Sequence, residues 1–171
     1  MSPPPLDTLQ ARFAQISPKL ISPEAIHAAQ VQGEHLLISD PIGLLRSISG
    51  QARTQPVLAA ASGLGAVQAA EQTDGAHSLA YARLALGSAL IWWGYHHEAR
   101  SYLSLVDAAL EGSADSLPLL YARWHSILAT RRFGSVPDEA EQLLRTAQQL
   151  EDLGDPVNAM RCRQDVVSEL F

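Results

Sequence analysis

The 171-residue chain has little of what marks most biochemical classes. It has a single cysteine, Cys162, so no intrachain disulfide can form and an oxidising compartment is not indicated. Its 12 Lys and Arg are outnumbered by 18 Asp and Glu, giving a net charge of −6, and the basic residues are scattered. A nucleic-acid-binding surface usually needs a basic stripe, so no direct nucleic-acid partner is expected. No run approaches the ~18 uninterrupted apolar residues of a membrane span. The start, MSPPPLDT, lacks the basic and apolar parts of a secretory leader. The expectation is a soluble, cytoplasmic chain with no membrane partner. Alternation rich in β-branched residues, the strand signal, is also missing.

Catalytic signatures are equally scarce. There is no HExxH or comparable ligand spacing, and no Cys/His or Ser/His/Asp pattern. His96-His97-Glu98 is a tempting triplet, but neighbours on a helix point about 100° apart and cannot ligate one metal together. Ser62-Gly63-Leu64-Gly65 contains a GxG with no strand before it, so close helix packing or a helix break is the expectation rather than phosphate binding. Arg161 and Arg163 flank Cys162 and would lower the pKa of an exposed thiol, but the expectation is a small half-buried residue. No enzyme activity, cofactor or metal is expected.

What is present is proline at regular intervals and helical periodicity between. Ser22-Pro23, Asp40-Pro41 and Asp155-Pro156 each place a capping residue before a Pro suited to the first helical position. Gln55-Pro56, Leu117-Pro118 and Val136-Pro137 read as starts with weaker caps. Residues 1–5 read as a disordered lead-in. A helix over residues 7–16 follows, with Leu6, Leu9, Phe13, Ile16 and Leu20 on one face. Further helices are expected over residues 23–37, 41–53, 56–71 and 156–171, with a turn at 72–75. The fold class is therefore all-α, with about eight helices in one domain over residues 6–171.

The clearest order lies in residues 80–153, which read twice as helix, Gly turn, helix. Tyr81-Ala82-Arg83 returns forty residues later as Tyr121-Ala122-Arg123, Ala89 as Ala129 and Gly94 as Gly134. After an insertion at Ser135-Val136-Pro137, Glu98-Ala99 returns as Glu139-Ala140 and Leu103 as Leu144. The repeats span residues 80–113 and 119–153. A fixed period of ~20–50 residues is the signature of stacked repeat units. These residues, with Leu86-Gly87 and Val106 in the first copy and Ala147 in the second, resemble the tetratricopeptide repeat, although the period exceeds that family's ~34 residues. The resemblance implies an α-solenoid of antiparallel helix pairs.

The resemblance also implies where a partner would sit, along the first helices of each pair. The corresponding residues are Tyr81, Leu84, Ser88, Ile91 and Trp92, then Tyr121, Trp124, Leu128, Arg131 and Arg132. Such a wall suits an apolar or aromatic protein segment, with the arginines holding an acidic group. Trp92 and Trp93 cannot both face one core, so one is expected to be partly exposed or to cover a neighbouring element. The function expected is a non-enzymatic interaction module for a protein or peptide. The alternative is a sensor domain resembling the repeat regions of large bacterial transcription regulators, with a small effector in the groove. Self-association through Val167, Leu170 and Phe171 is a further expectation.

Overall fold

The structure, a computed structural model, describes residues 3–73, 75–110 and 116–167. Among these residues every regular element is helical: nine α-helices and one 3-10 turn, with no strand. They are α1 (Leu6–Ala14), α2 (Pro23–Ser39), α3 (Pro41–Gln51), α4 (Pro56–Glu71), α5 (Ala76–Trp93), α6 (His96–Leu110), α7 (Ser116–Thr130), α8 (Glu139–Asp152) and α9 (Pro156–Val167), with the 3-10 turn at Arg131–Phe133. The all-α expectation holds. No described helix is long and apolar enough to cross a membrane.

α2, α3, α4 and α9 start at their prolines, and at three of them a capping oxygen precedes; α4 has no side-chain cap, α7 starts at Ser116 ahead of Pro118, and α8 starts at Glu139, after Pro137. Ser22 Oγ accepts from the Ala25 N–H (3.2 Å) and Asp40 Oδ1 from the Gly43 N–H (2.9 Å). Asp155 does the same for Asn158 (3.3 Å). Each satisfies one of the donors a helix start leaves without an intrahelical partner. At the other end, Gly94 closes α5 with φ 90°. Its N–H bonds the Ile91 carbonyl (3.2 Å) and the next N–H, of Tyr95, bonds Leu90 (2.9 Å), the paired closure that a left-handed glycine permits.

α4 lies at the centre. Nearly every residue from Ala59 to Val67 is buried, whichever side it points to, so this helix has no solvent face. It packs on α2 and α5, and α5 packs on α6. The spacing is set by missing side chains. A methyl at Gly33 of α2 would overlap the Ser62 carbonyl of α4, and one at Gly65 would overlap the Gln30 carbonyl of α2. On α4's other side a Cβ at Gly63 would stand 2.7 Å from Leu86 Cα. The GxG is therefore a packing device inside an unbroken helix.

Other expectations need adjustment. Leu9 and Phe13 of α1 are buried, but α1 ends at Ala14, so Leu20 falls outside it and is 81% exposed. Of the lead-in, the Pro4 carbonyl accepts a bond from the Tyr102 hydroxyl (3.1 Å), which ties Pro3–Pro5 to α6; Met1 and Ser2 lie outside the described residues. The forty-residue offset also runs further than the sequence alignment allowed. Leu103 and Leu143 are both buried, as are Leu110 and Leu150, whereas Leu144 is half exposed. The burial pattern therefore keeps the offset at forty with no net insertion before α8; the connecting loop differs in shape instead, with Asp138 at φ 52°. Ala89 and Ala129 are both fully buried.

Gly33→Ala should destabilise the protein by about 1–3 kcal/mol or more, since neither backbone at the α2–α4 crossing can retreat without opening the core. Urea unfolding measures it, with Ala28→Leu on the exposed side of α2 as control. Equal midpoints for the two variants would show that the crossing tolerates side-chain volume.

Candidate functional site

The residues expected to form a partner wall lie on α5, α7 and the turn after α7. Leu84, Ser88 and Ile91 are buried, with the Ser88 hydroxyl donating to the Leu84 carbonyl (2.8 Å), and Tyr81 is 7% exposed. Tyr121, Trp124 and Leu128 are each about 1% exposed. An open groove lined by these side chains is thus not what the folded chain presents, because two other helices meet over the wall. Trp92 keeps a partial exposure beneath the guanidinium of Arg53, in the turn after α3, 4.3 Å from its ring centre. Trp93 covers another element, stacking on Phe13 of α1 at 4.8 Å.

The cover is a polar seam joining α3, α7 and α9. At one end Tyr121 donates its hydroxyl to Asp155 Oδ2 (2.5 Å), and Asn158 Nδ2 donates to the same tyrosine oxygen (2.7 Å). Arg46 of α3 reaches Asp155 from outside (3.4 Å). At the other end Arg53 Nη2 donates to both oxygens of Asp165 (2.8 and 2.9 Å), and Trp124 Nε1 donates to one of them (2.8 Å). Arg131 Nη1 donates to the Asp165 backbone carbonyl (3.3 Å) and to Glu139 (3.3 Å). Asp155 and Asp165 are almost fully buried, and burial of a charge is tolerated only when it is paired and hydrogen-bonded.

The seam fixes protonation states. Burial pushes the Asp155 carboxyl up, but the bonds from Tyr121, Asn158 and Arg46 outweigh it and hold the group below its ordinary range. Tyr121 is driven far above the ordinary phenol value by burial and by its bond to Asp155, so it stays a donor. His125, fully enclosed beside Trp124, is lowered to about 4 by burial. Its Nδ1 lies 2.8 Å from the Tyr121 carbonyl, an acceptor only, so Nδ1 carries the proton.

The remaining candidates disperse. Arg131 turns inward to the seam, while Arg132 is exposed, so the two do not act as a pair on one wall; both lie in the 3-10 turn rather than on α7. His97 packs on Phe133 (4.3 Å) and Glu98 pairs with Arg12 (2.6 Å). His96 is held below its ordinary value by burial and then by Arg132. No grouping that could hold a metal occurs among the described residues. Cys162 is buried, and burial pushes its thiol up to about 12, the opposite of an activated cysteine. Leu170 and Phe171, invoked for self-association, lie outside the described residues; Val157, Met160 and Val167 of α9 are about half exposed. A cleft of about 520 Å³ separates α7 from α8 on the side away from the seam, with Arg123 and Ile127 on one bank and Glu141 and Arg145 on the other.

Sequence reasoning missed Arg46, Arg53, Asp155, Asn158 and Asp165 as members of this site. A faint signal existed: Asp155, Asn158, Cys162 and Asp165 recur at helical spacing, which puts polar groups on a buried face. Their partners sit more than a hundred residues away on α3 and in the turn after it, which no local pattern reveals. Compared with known proteins, the chain matches no protein-family model, no curated protein and no solved structure.

The neutral buried imidazole makes stability pH-dependent. With His125 depressed in the folded state, the unfolded chain binds its proton first, at about 6.5, and the folded chain only near 4. Stability is therefore intact above about pH 6.5 and falls as pH drops through that window, by on the order of 3 kcal/mol. His125→Gln should flatten the curve there. A wild-type midpoint unchanged between pH 7 and 4.5 would show that the imidazole is not held neutral.

Proposed function

We propose that this chain is a non-enzymatic helical-repeat interaction module of tetratricopeptide-like build, in which antiparallel helix pairs stack and the α5–α7 side receives a protein segment. One observation carries the reading: that side is built to hold a helix by its polar groups. Trp124 Nε1, Arg53 and Arg131 converge on Asp165 of α9, and Tyr121 holds Asp155. Trp, Tyr and Arg are also the side chains that dominate binding energy at protein interfaces. The buried equivalence of Ala89 with Ala129 and Leu103 with Leu143 supports the repeat. Burial and pairing of the titratable groups favour recognition over turnover, since no nucleophile stands beside a free base at the seam.

A second reading is a sensor for a small effector. It is supported by the α7–α8 cleft, whose volume of about 520 Å³ lies within the ~300–1,000 Å³ of small-molecule sites. Native mass spectrometry separates the two, since an effector would be retained as a discrete mass.

A protein partner should be held through the exposed edge of the wall. Once a captured partner is identified and purified, Trp92→Ala and Arg132→Ala should each weaken its binding about 30-fold, the equivalent of ~2 kcal/mol for an anchor residue. If both variants stay folded and bind as wild type does, the wall is not the docking surface.

A further inference from the structure

Two ways of holding helices together coexist in this molecule. α2, α4, α5 and α6 are joined by glycine, alanine and leucine at backbone contact distance. Nothing can replace those contacts, and opening them would expose only apolar surface. α9 is different. Its Cys162 faces its own hairpin partner α8, with Sγ 3.3 Å from the Leu143 carbonyl. Toward α3 and α7 it presents carboxylates. Arg46 meets Asp155, Gly50 lies beside the Arg161 guanidinium, and Arg53 meets Asp165, so α3 and α9 run parallel with the charges in register.

Such a seam is exchangeable. A buried ion pair contributes little net stability because desolvation offsets the attraction, and on opening both partners regain water. Any other carboxylate of the right spacing satisfies the same arginines equally well. The hairpin joins α7 through the 3-10 turn and a loop that holds Asp138 at φ 52°, and an open cleft of about 520 Å³ lies between α7 and α8.

We propose that the α8–α9 hairpin is a gate over the α5–α7 wall, and that the ligand it excludes is a helical segment of a partner that carries two carboxylates. That segment binds through two carboxylates spaced like Asp155 and Asp165, roughly 15 Å apart along a helix. The cations and aromatics released by α9 receive it. The inference rests on the docking reading above and adds the chemistry of the partner and the control of access. α9 is the built-in competitor, so the wild-type chain has low affinity for the partner until the gate is displaced.

The test uses the full chain and two synthetic peptides. One peptide copies residues 154–167, and the other carries Asn at both Asp positions. Asp165→Asn keeps the shape of α9 and removes the charge that Arg53 holds. Hydrogen exchange followed by mass spectrometry should show the α8 and α9 amides of wild type exchanging at least 100-fold faster than those of α4 and α5. Asp165→Asn should speed the hairpin a further tenfold and leave α4 and α5 unchanged. Fluorescence anisotropy should show the Asp-bearing peptide binding Asp165→Asn at least tenfold more tightly than wild type, and the Asn peptide binding neither. If Asp165→Asn proves unfolded by circular dichroism, Asp155→Asn loosens the other end of the seam and is read the same way. Exchange of α8 and α9 only together with α4 and α5 overturns the gate and leaves the docking reading standing. A hairpin that opens while both peptides bind equally, or not at all, overturns the two-carboxylate assignment and the docking reading with it.

Discussion

The architecture depends on how closely α4 approaches its neighbours. An ordinary helix crossing is 8–10 Å wide because side chains fill it. Here Gly33 and Gly65 bring α2 and α4 to backbone contact, and Gly63 does the same for α4 against Leu86 of α5. α4 can be buried on all sides only because Ala59, Ala60, Ala61, Ser62 and the two glycines take up so little room. The consequence reaches the site. With α5 pulled tight against α4, the short α3 packs against α5 as well, and Arg46 and, in the turn after α3, Arg53 come within reach of α9. Widening one crossing would move Arg46 and Arg53 away from the carboxylates they hold.

Around that rigid centre the periphery is attached by specific polar and aromatic contacts. α1 is fastened at its end by Phe13 stacked on Trp93, by Arg12 over the Tyr95 ring at 4.0 Å and by the Arg12–Glu98 pair. α9 is fastened by the seam. Each arrangement joins a tryptophan of α5 or α7 to a helix far away in the chain, with an arginine, Arg12 or Arg53, completing the contact. Such contacts specify one arrangement through hydrogen-bond geometry, whereas apolar burial alone is non-directional. The contrast between a dry centre and charged attachments is also the physical basis for distinguishing the part that holds the fold from the part that can exchange partners.

By itself the sequence determined the all-α class, several of the helix starts and the turn chemistry. Those depend on residues close together in the chain: Ser22, Asp40 and Asp155 before prolines, Gly94 after α5, and apolar spacing between them. It also showed the forty-residue echo, although the buried pairs Leu103 with Leu143 and Leu110 with Leu150 correct its register in α8. Only the tertiary structure decided whether the wall of Tyr121, Trp124 and Leu128 faces a partner or the chain itself. A helical pattern says which residues share a face but not what that face meets. Here it meets Asp155 and Asp165, brought over it by α8 and pinned by Arg46 of α3 and by Arg53 in the turn after it. Pairing between residues 46 and 155, or 53 and 165, is settled by the path of five intervening helices. Electrostatic partners so far apart in sequence leave no local trace, because a buried charge is stabilised by whatever the fold places beside it.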